Sequence, residues 1–199
     1  NHCNSITGEL ADGGGIYHLS ASGVMSLLLK NNQISNNTVS SNNKARGAGV
    51  LIYLSDCQVL QNTFSMNSST GSLTNGAGLL LRESPSAIIK GNLIKDNTVN
   101  TSNVYWGLGC MVAYAAGPTY IENNKFINNV NVGPYAVNTG VGGGLAVMDA
   151  ENSLIRIKGN LFRDNQAIFG GGFYSRSCYD LTVSNNYFIG NDANSGGAV

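Results

Sequence analysis

Charge is scarce in this sequence. Lysine, arginine, aspartate and glutamate make up 11% of the 199 residues, and eleven of each sign cancel to a formal net charge of zero. No basic surplus is available to hold nucleic acid or an anionic membrane face, so neither is expected as a partner. Long apolar runs are missing as well. No stretch approaches the roughly 18 residues that span a bilayer, and membrane insertion by this segment is not expected. The chain has no initiator Met and no basic segment leading into an apolar core, so it reads as a mature piece or an excised part of something longer. Proline is rare, at three residues. No segment keeps a 3.6-residue apolar period for even about ten residues, which excludes a helical fold. Disorder is excluded too, because 42% of the residues are apolar and they recur in order.

What recurs is Asn-x-(Ile/Phe)-x-x-Asn. It reads Asn32-Gln-Ile34-Ser-Asn-Asn37, Asn62-Thr-Phe64-Ser-Met-Asn67 and Asn92-Leu-Ile94-Lys-Asp-Asn97. It continues as Asn124-Lys-Phe126-Ile-Asn-Asn129, Asn160-Leu-Phe162-Arg-Asp-Asn165 and Asn186-Tyr-Phe188-Ile-Gly-Asn191. A degenerate opening copy is read in Asn4-Ser-Ile6-Thr-Gly-Glu9. A period of about 30 residues with variable loops marks a solenoid.

A second signal is a glycine-rich triplet before an apolar residue: Gly13-Gly-Gly-Ile16, Gly47-Ala-Gly-Val50, Gly76-Ala-Gly-Leu79, Gly107-Leu-Gly-Cys110, Gly142-Gly-Gly-Leu145, Gly170-Gly-Gly-Phe173 and Gly196-Gly-Ala-Val199. Period-two apolarity follows, as in Val50/Ile52 and Leu79/Leu81, which is strand patterning. Leu29, Val59, Ile89, Ile121, Ile157 and Val183 each lie three residues before a motif asparagine. The sequence therefore predicts a single all-β domain over 1–199, a parallel β-helix solenoid of about six to seven coils of roughly 30 residues. Coil boundaries fall near 1–12, 13–46, 47–75, 76–106, 107–141, 142–169, 170–195 and 196–199. Three strands per coil are expected: one after the glycines, one ending near the first motif Asn, and a short one through Ile/Phe.

Each strand is too short to bury its apolar side alone, and stacking joins the inward residues into one core. Asn32, Asn62, Asn92, Asn124, Asn160 and Asn186 are expected to form one structural ladder, and Asn37, Asn67, Asn97, Asn129, Asn165 and Asn191 a second. In each, an amide donates to one neighbour and accepts from the next. Cys57 and Cys110 fall in apolar slots and read as core residues, and no disulfide framework is expected.

The pairing of Gly196-Gly-Ala-Val199 with Phe64-Ser-Met-Asn67, Phe126-Ile-Asn-Asn129, Phe162-Arg-Asp-Asn165 and Phe188-Ile-Gly-Asn191 resembles the repeat of the chlamydial polymorphic outer membrane proteins. The resemblance covers essentially the whole chain. It departs at Ile34 and Ile94, and where the middle Ala is Gly or Leu. It implies a right-handed parallel β-helix, of pectate-lyase-like architecture, displayed outside the cell or on its surface and used in adhesion.

The outward residues after the glycines, Tyr17, Leu51, Leu80, Met111, Ala146 and Tyr174, are unusually apolar. Either they form an exposed stripe for a partner, or the inward parity of the strand is the opposite one; Arg82 and Arg176, two residues on, favour the stripe. The connections after Asn37, Asn67, Asn97 and Asn129 are long and predict a loop ridge built from 98–105 and 130–141. Tyr105, Trp106 and Tyr135 in that ridge either stack on a sugar ring or cover the corner of the core.

Acids are scattered. Asp96 and Asp164 share a repeat position two coils apart, about 9.6 Å, at the edge of inverting-glycosidase geometry. Lys95 and Arg163 precede them, so surface charge pairs are the simpler reading. His18 reads as an inward residue at the edge. No cofactor or metal is expected. Asn-x-Ser/Thr sequons stand at Asn36, Asn67 and Asn100, with sugar expected at Asn36 or Asn100 and none at the internal Asn67. The sequence thus points to a non-enzymatic, extracellular structural or adhesive β-helix. Its partner would be a protein or glycan surface, or another copy stacked end to end. The rival is a carbohydrate-active β-helix, either a polysaccharide lyase or glycoside hydrolase, or a carbohydrate-binding module.

Overall fold

Four of the five corners in a complete coil hold a residue with positive φ, and these corners keep the strands short. In the coil at 47–75 they are Gly47, Leu54, Gln61 and Met66, with φ of 60°, 57°, 56° and 54°. A left-handed residue reverses the local direction of the chain, so a strand of three to five residues ends at each. The computed structural model describes residues 1–5, 10–20, 26–101, 104–131 and 139–199. Over these residues the chain winds as a parallel β-solenoid of five sheets.

In the coil at 47–75, sheet 1 takes Val50–Tyr53, sheet 2 Asp56–Leu60, sheet 3 Thr63–Ser65, sheet 4 Ser68–Thr70 and sheet 5 Leu73–Asn75. Every pairing is parallel and in register from coil to coil, for example Leu79 opposite Val50 and Cys110, and Phe64 opposite Ile34 and Ile94. Five strands per coil replace the expected three. The two additional strands occupy the stretches expected to be loops: Thr98–Asn100 and Val104–Trp106 in one coil, Val130–Asn131 and Thr139–Val141 in the next. Where the expected ridge is described it is therefore mostly ladder, residues 102–103 and 132–138 lying outside the described residues. Its side chains alternate too briefly, over two or three residues, to announce strands. After Asn165 and Asn191 the connection is short, and single strands, Gln166–Phe169 and Asp192–Ser195, continue sheet 5.

The main core lies among sheets 1, 2 and 3. Val50, Ile52, Leu79, Leu81, Val59, Ile89, Phe64 and Ile94 are completely buried there. The Ile/Phe column forms as expected, and Phe162 stacks on Phe126 and Phe188 with ring centroids 4.8 Å apart in both pairs, which is the strand spacing itself. Smaller apolar clusters lie beyond it, Ala77, Val99, Leu108 and Ala167 in one and Ala11, Val39, Ala45 and Ala48 in another.

The glycine-rich triplet has a separate reason at each place. The first turns the corner with positive φ, and a Cβ on Gly47 would lie 2.8 Å from Cβ of Leu51. The middle residue, Ala48, Ala77 or Leu108, faces the smaller clusters. The third leaves no room: a Cβ on Gly78 would sit 2.5 Å from the Gly109 carbonyl and 3.0 Å from Nδ2 of Asn97.

One register differs from expectation. Asn1 takes the ladder position, because His2 pairs with Thr38 and Cys3 with Val39, while Ile6 and Glu9 of the expected opening copy lie outside the described residues. That register places Cys3 against the cluster around Val39, and Asn1 Nδ2 donates to Asn37 Oδ1 at 3.1 Å.

Candidate functional site

Both asparagine ladders form. Oδ1 of Asn92 accepts the backbone N–H of Asn62 at 2.8 Å and its side-chain N–H at 3.1 Å. The Asn92 Nδ2 group donates onward to Asn124 Oδ1 at 2.9 Å and back to the Val59 carbonyl at 2.7 Å. All the donors and acceptors of the amide are thereby used. The same pattern runs through Asn32, Asn124, Asn160 and Asn186. The second ladder runs through Asn37, Asn67, Asn97, Asn129, Asn165 and Asn191. The aliphatic residue three places before each first-ladder asparagine has a second duty here. Its carbonyl receives the amide of the following coil, as Leu29 does from Asn62.

The apolar column after the glycines corrects the expectation of an exposed stripe. Leu51, Leu80 and Met111 are 1%, 1% and 2% exposed, and Ala146 is fully buried. The expected parity holds, since Leu79 and Leu81 belong to the main core while Leu80 does not. The column is covered because the chain bends sharply at the first glycine. Residues at the end of sheet 5, Trp106 and Val141, then fold over the outer face of sheet 1 and close a second apolar cluster. Only the ends of the column stay open: Tyr17 is 48% exposed and Tyr174 is half-buried. Trp106 is half-buried in this corner, with the Arg176 guanidinium 6.0 Å above its ring. Tyr105 pairs through its backbone with Thr74 and Gly140, its side chain lying outside the described residues, as does the whole of Tyr135.

Polar groups finish the same corner. Arg46 holds Asp12 of the preceding coil through two bonds of 2.8 and 2.6 Å. That contact holds the guanidinium above its ordinary pKa against the opposing effect of burial. Further out, Arg82 lies over the rings of both Tyr53 and Tyr114, at 5.5 and 5.2 Å, a stack that no sequence pattern announced. Its only signal was register, since Tyr53 and Arg82 are cross-strand partners.

Asp96 and Asp164 both occupy left-handed turn positions. Asp96 accepts from Asn128 at 2.8 Å and pairs with Lys95 at 3.4 Å, while Asp164 pairs with Arg163 at 3.3 Å. The acids therefore sit where a short polar side chain suits a tight turn, each beside its own cation. His18 lies opposite Ile52, with Nε2 3.2 Å from Ser55 Oγ. Among the described residues no three His, Cys, Asp or Glu side chains gather as a metal would require. Burial pushes the Cys57 thiol up to about 12 and that of Cys110 further still. All four cysteines are free. Asn36 and Asn100 are exposed, and Asn67 is fully buried. No described helix is long and apolar enough to cross a membrane.

A family model described as the right handed beta helix region matches residues 3–142 and again residues 73–199. No curated protein and no solved structure matches the chain.

Proposed function

Since the chain belongs to the right-handed β-helix family, we propose that it serves as a non-enzymatic structural or adhesive rod, outside the cell or on its surface, that meets a protein or glycan through its outer faces. The observation that carries this reading is how its polar groups are spent. Inside, the amides bind one another along the axis. Outside, seven carboxylates among the described residues are tied to cations, four of the pairs linking adjacent coils: Asp12–Arg46, Glu122–Lys90, Asp180–Arg156 and Asp149–Arg176. Such groups hold coils together and leave little for acid–base chemistry, which needs convergent carboxylates. The resemblance of the Gly-Gly-Ala-Val and Phe-x-x-Asn elements to surface-displayed chlamydial proteins supports the extracellular setting.

The test exposes the folded protein to a panel of acidic and neutral polysaccharides. New reducing ends and unsaturated sugars are measured, and binding to cells and immobilised glycans is measured in parallel. Saturable binding without products supports the rod. Products whose release is abolished by Asp96→Asn or Asp164→Asn establish the rival carbohydrate-active reading.

A further inference from the structure

The corner between sheets 2 and 3 carries a charge pattern that the fold does not require. Lys30, Lys90 and Lys158 end alternate strands of sheet 2, with Leu60 and Glu122 in register between them. All three lysines are exposed. Successive lysines are two strand spacings apart, about 9.6 Å, and the row spans about 19 Å. Lys90 holds Glu122 at 3.1 Å. Lys125 stands just past the corner of that coil, exposed, and supplies a further cation there. Among the described residues Lys30, Lys125 and Lys158 have no ion pair. Four lysines against one glutamate thus gather on one edge of a chain whose formal net charge is zero.

The surface between the lysines is shaped as well as charged. A recess of about 340 Å³ is lined by Lys30, Leu60, Gln61, Lys90, Gly91 and Asn123. Gln61, Gly91, Asn123 and Gly159 succeed one another at this corner in the left-handed conformation. The glycines keep the track low, and a Cβ on Gly159 would clash with the Asn123 side-chain oxygen. Beside the row, Leu28 and Ile88 are 62% and 36% exposed on the outer face of sheet 2.

We propose that this corner binds a linear acidic glycan bearing its charge on every second sugar. Two linked pyranose rings are close in length to two coils, so consecutive acidic groups meet consecutive lysines. Gln61 and Asn123 offer amides to the hydroxyls between, and Leu28 and Ile88 offer apolar surface to the ring faces. A nucleic-acid strand, with a charge on every nucleotide, does not share this period. The extracellular reading matters here only for where such a glycan is met. A chain that cleaved glycans would shorten the probe, overturning that reading while leaving the binding result readable.

The test is titration of the intact protein with an unsulfated chondroitin octasaccharide, which has one carboxylate on every second sugar, at low salt, with maltooctaose, an unsulfated chondroitin disaccharide and a ten-nucleotide oligo-dT as comparators. The octasaccharide is expected to bind, more weakly as salt rises. Affinity is expected to fall roughly tenfold or more for the disaccharide and for the Lys30→Gln/Lys90→Gln/Lys158→Gln variant. Lys44→Gln, an exposed lysine on sheet 5, is expected to bind as the parent does. Unchanged thermal unfolding of both variants shows that the fold is intact. Absent octasaccharide binding, equal binding of maltooctaose or oligo-dT, or equal loss in Lys44→Gln would each overturn the proposal.

Discussion

Oδ1 of Asn97 accepts two hydrogen bonds from Asn67, one from the backbone N–H at 3.1 Å and one from the side-chain amide at 3.0 Å. One residue thereby fixes both the backbone and the side chain of its counterpart in the preceding coil, and both residues are fully buried. Replacing Asn97 with Ala removes the acceptor for two donors and strands the carbonyl of Phe64, which receives its amide at 3.1 Å. Asn97→Ala is expected to cost about 3 kcal/mol or more, three buried groups losing their partner at about 1–3 kcal/mol each. Asn100→Ala, at an exposed position, is expected to stay within about 0.5 kcal/mol. Urea unfolding measures both.

The covered apolar column makes a sharp prediction at Leu80. A residue on a solvent-facing stripe would tolerate truncation. Leu80 is instead packed with Leu51 and Met111, so Leu80→Ala should cost about 2–5 kcal/mol, as in any core. The same truncation at Leu28, 62% exposed, should cost far less, and equal losses at the two sites would contradict the covered corner.

Gly78 is constrained by space and not by φ. A Cβ there meets the Gly109 carbonyl at 2.5 Å and the Asn97 amide at 3.0 Å. Neither can retreat without breaking a ladder, so Gly78→Ala is expected to destabilise by about 1–3 kcal/mol through overpacking. A neutral or stabilising outcome in the same urea assay would refute that placement.

The thiols should divide by burial. Cys57 and Cys110 are buried, and burial holds the Cys57 thiol protonated up to about 12. At mildly alkaline pH, alkylation of the native protein should modify Cys3 and spare Cys57 and Cys110 until the chain unfolds, with mass mapping as the readout. The folded pKa of Cys57 lies above the unfolded value of 9.0, so its contribution to stability is complete below about pH 9. It is lost as pH rises from there toward 12, by up to about 1.4 kcal/mol per pH unit. Cys57→Ala should flatten that slope.

The three sequons should separate on expression through a glycosylating secretory pathway. Asn36 and Asn100 are exposed and are expected to carry sugar, whereas Asn67 is sealed within its ladder. Glycopeptide mapping that places a glycan on Asn67 of the folded protein would contradict the ladder.

Much of this architecture is legible in the sequence because its ladders require chemical identity at fixed phase. Asn62, Asn92 and Asn124 must all be amides for each to donate and accept, and Phe64, Ile94 and Phe126 must all fill the same slot. Sheets 4 and 5 escape notice because strands such as Ser68–Thr70 and Leu73–Asn75 are too short for alternation to show. The fate of Leu80 could not be read from parity alone. Parity tells which side of sheet 1 it faces, and only the bend at Gly76 determines that sheet 5 covers that side. Tyr53, Arg82 and Tyr114 belong to different coils, and their stack exists only once the register is known. The lysine row is visible in hindsight, since Lys30, Lys90 and Lys158 each stand two residues before a motif asparagine.

The most direct test of the account is a double-mutant cycle on Asn67 and Asn97, measured by urea unfolding of the parent, Asn67→Ala, Asn97→Ala and the double variant. Direct bonding between stacked amides predicts a coupling energy of about 1–3 kcal/mol, the double variant being less damaged than the sum of the singles. Additivity within about 0.3 kcal/mol would mean that the two asparagines act independently, and would contradict the ladder as the bond that holds coil to coil.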